Sequence, residues 1–114
     1  MIKRIPTKFS YSKAVVAGDY IFLGLHRGSG ETFTEQIHSA FSELKETVQK
    51  CDVSLGKVVK VDVYLKNIQD LPEMEEVFLD YFAKDTSPAR MTTTTEFIDS
   101  DCLMMIGGVA YTGV

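Results

Sequence analysis

The sequence predicts an α+β sandwich in which two helices pack on one face of a single β-sheet. Two segments carry apolar residues at helical spacing, and each has only one apolar stripe. The remaining segments are rich in β-branched and aromatic residues, which favour strands. The predicted order is β-β-α-β-α-β-β, and residues Ile2 to Ile5 could add one short strand at the start. Because each helix has one apolar face, the other face of the sheet should be open.

A hairpin and three further strands are predicted. Ala14–Ala17 and Tyr20–Leu23 flank Gly18-Asp19, and glycine tolerates the positive φ of a two-residue turn. The further predicted strands are Val58–Leu65, Arg90–Phe97 and Cys102–Tyr111. Alternation in the first of these puts four apolar residues on one face, namely Val59, Val61, Val63 and Leu65.

Both helices have recognisable starts. Thr32 and Glu35 form a capping-box pattern before the first helix, which should run to about residue 51. Asp70, Pro72 and Glu73 are typical of the first turn of the second helix. The predicted stripes are Ile37, Ala40, Phe41, Leu44 and Val48 in the first helix and Met74, Val77, Phe78, Tyr81 and Phe82 in the second.

Length and composition describe one domain over residues 1–114, with 45% apolar residues and a formal net charge of −4. The absence of a Lys/Arg run argues against a nucleic-acid partner. No stretch approaches the roughly 20 apolar residues of a membrane helix, and no signal-peptide pattern opens the chain. We therefore expect a cytoplasmic protein. Cys51 and Cys102 lack CxxC spacing and a nearby histidine cluster, which favours core positions over a metal site.

The last predicted strand indicates an oligomer. Its segment Leu103–Ile106 is apolar on both faces, so the open face of the sheet would carry apolar side chains. Such a face is normally covered, and in a chain this short a neighbouring subunit is the expected cover.

Arg90 is the most informative polar residue. It follows Pro88 at the start of a threonine-rich strand that is poor in charge. A guanidinium held in this way can bind a carboxylate through two parallel hydrogen bonds. A structural ion pair is the alternative that the residues alone leave open.

Three blocks of the sequence share a pattern with one known family. They are Tyr11–Phe22, the stretch from Gly56–Asn67 to Phe82, and Pro88–Arg90. In order and spacing they resemble the first hairpin, the central strand with the second helix, and the arginine turn of the YjgF/RidA family, the reactive intermediate deaminases. The resemblance covers nearly the whole chain.

The resemblance implies a chorismate-mutase-like fold and a homotrimer with ligand clefts between subunits. In active members an arginine binds the carboxylate of a 2-imino acid, and a glutamate on the last strand positions the attacking water. The products are a 2-oxo acid and ammonia, and no cofactor takes part. Arg90 matches the arginine, and Tyr11 matches an aromatic residue that lines the cleft from the neighbouring chain.

The chain departs from the family pattern near this cleft. Met105 stands where the glutamate is expected, and a thioether cannot act as a general base. The family's Ser-Gly-Gln reads Gly24-Leu25-His26, and an asparagine of the second helix reads Glu75. We expect Gly24, Leu25 and Met105 to line a more apolar cleft than the family pattern has.

Two residues could replace the missing glutamate, and a backbone carbonyl that positions water is a third possibility. His26 should lie at the cleft rim and could act as a base near neutral pH, unless it is only a solvated histidine. Glu75 could restore a carboxylate near Arg90, either orienting water or neutralising the arginine. The sequence thus leaves two functions open. One is an imine or enamine deaminase without the usual glutamate, and the other is a non-catalytic trimeric protein that binds a small carboxylate metabolite.

Overall fold

A computed structural model describes residues 1–113 as one six-stranded mixed sheet with two helices on one face. The strands lie in the spatial order β1-β2-β3-β6-β4-β5. The elements are β1 (Ile2–Pro6), β2 (Ser12–Ala17), β3 (Tyr20–Arg27), α1 (Phe33–Lys50), β4 (Val58–Leu65), α2 (Leu71–Tyr81), β5 (Ala89–Thr94) and β6 (Met104–Tyr111). The predicted α+β class and the additional first strand are both confirmed. Among the described residues, no helix is long and apolar enough to cross a membrane.

The order of the elements along the chain explains which neighbouring strands are parallel and which are antiparallel. β5 lies parallel to β4 because α2 carries the chain back between them, and the other neighbouring strands are antiparallel. β6 is central, between β3 and β4. The core lies between the sheet and the helices. The α1 stripe predicted from spacing is fully buried, at 0% exposure for all five residues.

The predicted side-chain cap is present at the start of α1 but absent at the start of α2. The capping box of Thr32 and Glu35 is present at the start of α1. α1 ends where Asp52 takes a φ of 66°, and the amide of Val53 donates to the carbonyl of Val48 at 3.1 Å, as in a Schellman motif. Asp70 precedes α2 but makes no side-chain cap, because a 3₁₀ turn already gives it helical backbone angles.

Two strand predictions need correction. A register shift between Val58 and Lys60 turns Val58 into the core and leaves Val59 47% exposed, so Val59 does not share the buried face. β5 ends at Thr94, three residues before the predicted Phe97.

Gly108 of β6 passes so close to β4 that a side chain has no room. A Cβ built there would lie 1.9 Å from the carbonyl oxygen of Lys60. We expect Gly108→Ala to lower the free energy of unfolding by about 2–3 kcal/mol, as overpacking of a dense interior does. Urea denaturation would measure the change. Gly56→Ala is the matched control, because its nearest neighbour would be Ser54 Oγ at 3.6 Å. Equal midpoints for the two variants would contradict this packing.

Candidate functional site

Arg90 is held against α2 by three different contacts. The residue pairs with buried Val61 of β4, so its side chain lies on the helix side of the sheet. The guanidinium carbon lies 4.8 Å from the centre of the Phe78 ring, within cation–π range. Nη2 donates to the carboxylate of Glu75, and Nη1 lies 4.0 Å from the sulfur of Met74. The Arg90 side chain is 25% exposed, so a fixed guanidinium still faces solvent.

A small groove surrounds this guanidinium, and we call it the Arg90 groove. Its volume is about 410 Å³, and it is lined by Glu75, Phe78, Leu79, Lys84, Ser87, Pro88 and Arg90. It combines two cations and one carboxylate with an apolar wall. Sequence reasoning missed Lys84 and treated Phe78 only as core. The clustering of Lys84, Ser87 and Pro88 just before Arg90 was the available signal.

A second, larger groove lies on the open side of the sheet, and we call it the open-face groove. Its volume is about 1090 Å³, and its lining includes the predicted residues Tyr11, Leu25, His26 and Met105. Tyr11 stacks on Phe9 with ring centres 6.0 Å apart. The groove thus presents apolar side chains near Met105, and its lining also includes charged residues such as Arg27 and Asp99.

The two grooves are on opposite sides of the sheet. Met105 pairs with Tyr64 of β4, whereas Arg90 pairs with Val61 of the same strand. Positions 61 and 64 differ by an odd number of residues, so their side chains alternate to opposite faces. Within one chain, the predicted site residues therefore form two groups, Arg90 with Glu75 and Tyr11 with Leu25 and Met105.

A bulge in β3 sets the orientation of Leu25 and His26. The pairing of β3 with β6 shifts between Leu23 and His26. As a result Leu25 is 46% exposed, and His26 turns inward to 3% exposure. Gly24 lies in this bulge, where a Cβ would be 3.3 Å from two carbonyl oxygens of β2.

His26 is buried rather than solvated at a cleft rim, so the predicted exposure is wrong. Its Nδ1 lies 2.6 Å from the carbonyl oxygen of Gly24, and its Nε2 lies 2.8 Å from the hydroxyl of Thr47. A carbonyl only accepts, so the Gly24 contact assigns a proton to Nδ1. The Thr47 hydroxyl also lies 3.0 Å from the carbonyl oxygen of Glu43, and its single proton is shared between that carbonyl and Nε2. Burial lowers the pKa of His26 below its usual value of 6.5, although the Gly24 hydrogen bond opposes the shift. With both nitrogens engaged, His26 is poorly placed to act as a base.

The buried imidazole predicts a pH dependence of stability. Unfolded His26 takes up a proton near pH 6.5, whereas the folded ring resists protonation because its pKa is lowered. The unfolded state therefore binds more protons as pH falls below 6.5, and the free energy of unfolding should decrease in that window. His26→Gln should flatten the slope between pH 7.5 and 5.5, measured by urea denaturation. An unchanged slope would show that His26 does not cause it.

The described residues offer little basis for a metal site or a reactive thiol. Residues 1–113 contain no group of three or more His, Cys, Asp or Glu arranged to hold a metal ion. Cys102 is buried, as expected of a core residue, and Cys51 is partly buried. Burial raises the pKa of both thiols, so neither has the lowered pKa of a reactive cysteine.

Comparisons with known proteins agree with this architecture. The family model described as endoribonuclease L-PSP matches residues 1–112. A RutC family protein from Pyrococcus horikoshii is 30% identical over 109 residues, covering 89% of this chain and 86% of the relative. A 2-iminobutanoate/2-iminopropanoate deaminase from Dermatophagoides farinae is 29% identical over 90 residues, covering 72% and 70%. The crystal structure of a YjgF family member from Neisseria meningitidis superposes with a TM-score of 0.94 at 25% identity, covering 100% of this chain and 97% of that chain.

The mixed sheet with both helices on one face is therefore the YjgF fold. The chain belongs to the YjgF/RidA family, whose members also carry the names RutC and endoribonuclease L-PSP.

Proposed function

We propose that the protein hydrolyses small 2-imino acids to 2-oxo acids and ammonia, with Arg90 binding the substrate carboxylate. Family membership and the relative named 2-iminobutanoate/2-iminopropanoate deaminase support this reaction class. The observation that carries the proposal is the fixed, partly exposed guanidinium of Arg90 in its groove. Lys84 adds a second positive charge to the same groove.

Arg90 keeps hydrogen-bonding capacity for a ligand. Arginine has five N–H donors, and the bond to Glu75 engages Nη2. Contact of Nη1 with the Met74 sulfur is a weak interaction that a carboxylate can displace. A carboxylate bound by two of these donors would fix the substrate in one orientation, which favours attack at its neighbouring carbon.

Glu75 is the best candidate for activating water. It is the carboxylate that contacts Arg90, and its side chain is 52% exposed and open to solvent. In the proposed reaction Glu75 accepts a proton from water as the water oxygen bonds to C2 of the protonated imine, and the C=N electron pair moves to nitrogen. Glu75 returns that proton to nitrogen, which becomes an ammonium leaving group, and then takes up the hydroxyl proton. The C–N bond breaks, ammonia leaves and the 2-oxo acid forms. Such acid–base assistance contributes about 10²–10⁴-fold in rate.

A homotrimer with clefts between subunits is part of the proposal. Tyr11, Leu25 and Met105 lie across the sheet from Arg90, so a second copy would have to supply them to a ligand held by Arg90. Exposed apolar residues on the open face also favour coverage by another copy; they include Phe22, Leu25 and Met91. Sedimentation equilibrium should give three times the 12.7 kDa chain mass. A monomeric mass would overturn this assembly.

The reaction is tested by following 2-iminopropanoate, generated in situ from alanine, in the presence of wild type, Glu75→Gln and Met105→Glu. We expect wild-type activity that falls about 100-fold or more in Glu75→Gln, the scale of a lost general base. If wild type is inactive and Met105→Glu gains activity, the protein is instead a binding protein on a disabled deaminase scaffold.

A further inference from the structure

The ion pair between Arg90 and Glu75 places opposite charges side by side on the wall of one small groove. We infer that Glu75 makes this groove selective for ligands that carry a cationic nitrogen next to their carboxylate, such as protonated 2-imino acids and α-amino acids. The inference rests on the proposed function only in assigning the ligand carboxylate to Arg90. It goes further by naming the residue that distinguishes substrate from product.

Charge complementarity carries the argument. A ligand carboxylate on Arg90 lies close to the Glu75 carboxylate, because both bind the same guanidinium. Two neighbouring anions repel, and the repulsion is weakened when the ligand supplies its own positive charge facing Glu75. The nitrogen of an iminium or ammonium group is bonded to C2, the same carbon that carries the carboxylate. The two charges of the ligand therefore lie close enough together to face the adjacent Arg90 and Glu75 side chains.

The same arrangement disfavours the product. A 2-oxo acid presents a carbonyl oxygen where the iminium nitrogen was, and this oxygen can only accept hydrogen bonds. Glu75 then faces an acceptor and a carboxylate without a balancing cation. Hydrolysis thus converts a ligand that matches both charged residues into one that matches only Arg90, which favours product release.

Other groups of the groove do not explain this selectivity. Lys84 attracts any carboxylate, with or without a neighbouring ammonium group. Phe78 and Leu79 are apolar, and Ser87 donates its hydroxyl to the backbone carbonyls of Ala83 and Lys84 at 3.1 Å. Glu75 is the one acidic residue among those that line the groove in the described part of the chain.

Equilibrium binding of three four-carbon acids tests the inference by isothermal titration calorimetry. L-2-Aminobutyrate carries the cation, 2-oxobutyrate lacks it, and 2-hydroxybutyrate lacks it while keeping a tetrahedral C2. Wild type should bind 2-aminobutyrate roughly five- to tenfold more tightly than either other acid, the scale of a partly exposed charge interaction. Glu75→Gln should remove or reverse this preference. Lys84→Gln is the control, and it should weaken all three acids without changing their order.

Equal or tighter binding of 2-oxobutyrate by wild type would overturn the inference, as would an unchanged order in Glu75→Gln. Failure to bind any of the three acids would overturn it as well. The hydrolysis rates of wild type and Arg90→Ala report on the proposed function separately. An active, Arg90-dependent enzyme without ligand preference would refute the selectivity and leave the proposed function standing.

Discussion

Arg90→Ala is expected to lower kcat/KM for 2-imino acid hydrolysis by roughly 100-fold. A pair of charge-assisted hydrogen bonds to a carboxylate contributes about 3 kcal/mol, which corresponds to this factor. Arg90→Lys should recover only part of the loss, because an ammonium keeps the charge but cannot form the planar, two-pronged contact. Initial rates of 2-oxo acid formation over a range of substrate concentrations would measure both variants.

The fold should tolerate the loss of Arg90. Its partner Glu75 is half exposed and keeps its hydration, and the contact with Phe78 is worth about 0.5–1 kcal/mol. We therefore expect Arg90→Ala to unfold within about 1 kcal/mol of wild type in urea, because exposed ion pairs contribute little. A variant that loses its folded structure would assign Arg90 a structural role and contradict the binding role.

Phe41→Ala is expected to have the largest effect on stability. Phe41 is fully buried, and its ring meets those of Tyr81, Phe78 and Phe82 edge to face at 4.8, 5.9 and 6.2 Å. Truncation of a buried phenylalanine costs about 3–5 kcal/mol through lost burial and the cavity left behind. Urea or thermal denaturation would measure the loss.

Phe41→Ala should also affect the candidate site. Phe78 contacts Phe41 on one side and the Arg90 guanidinium on another. Activity of Phe41→Ala should therefore fall even at temperatures where the variant remains folded. Ile68→Ala is the control, because Ile68 is 54% exposed and its loss should change the free energy of unfolding by about 0.5 kcal/mol at most. Equal stability of the two variants would contradict the assigned core.

The fold was largely predictable because its signals are local and periodic. Helical spacing in α1 identified five residues that are all fully buried, and the capping box marked its start. Val59 was misassigned to the buried face because a one-residue register shift at the start of β4 breaks the alternation, and no local pattern indicated that shift. Asp70 failed as a cap because the preceding 3₁₀ turn depends on how the chain packs after β4.

The candidate site was less predictable because it depends on pairing between distant segments. Arg90 was identified from its own context, but its contact with Phe78 requires α2 to pack beside β5. The position of Glu75 relative to Arg90 was left open, and the structure pairs the two residues. His26 looked solvated because it lies beside the Gly-rich loop Gly28–Gly30, whereas the bulge in β3 turns it towards Thr47 of α1.

The most direct test is the rate at which wild type accelerates hydrolysis of 2-iminopropanoate beyond the uncatalysed rate in buffer. We predict an acceleration that is proportional to protein concentration and is lost in a folded Arg90→Ala variant. A wild-type rate equal to that of buffer alone would contradict the proposed activity.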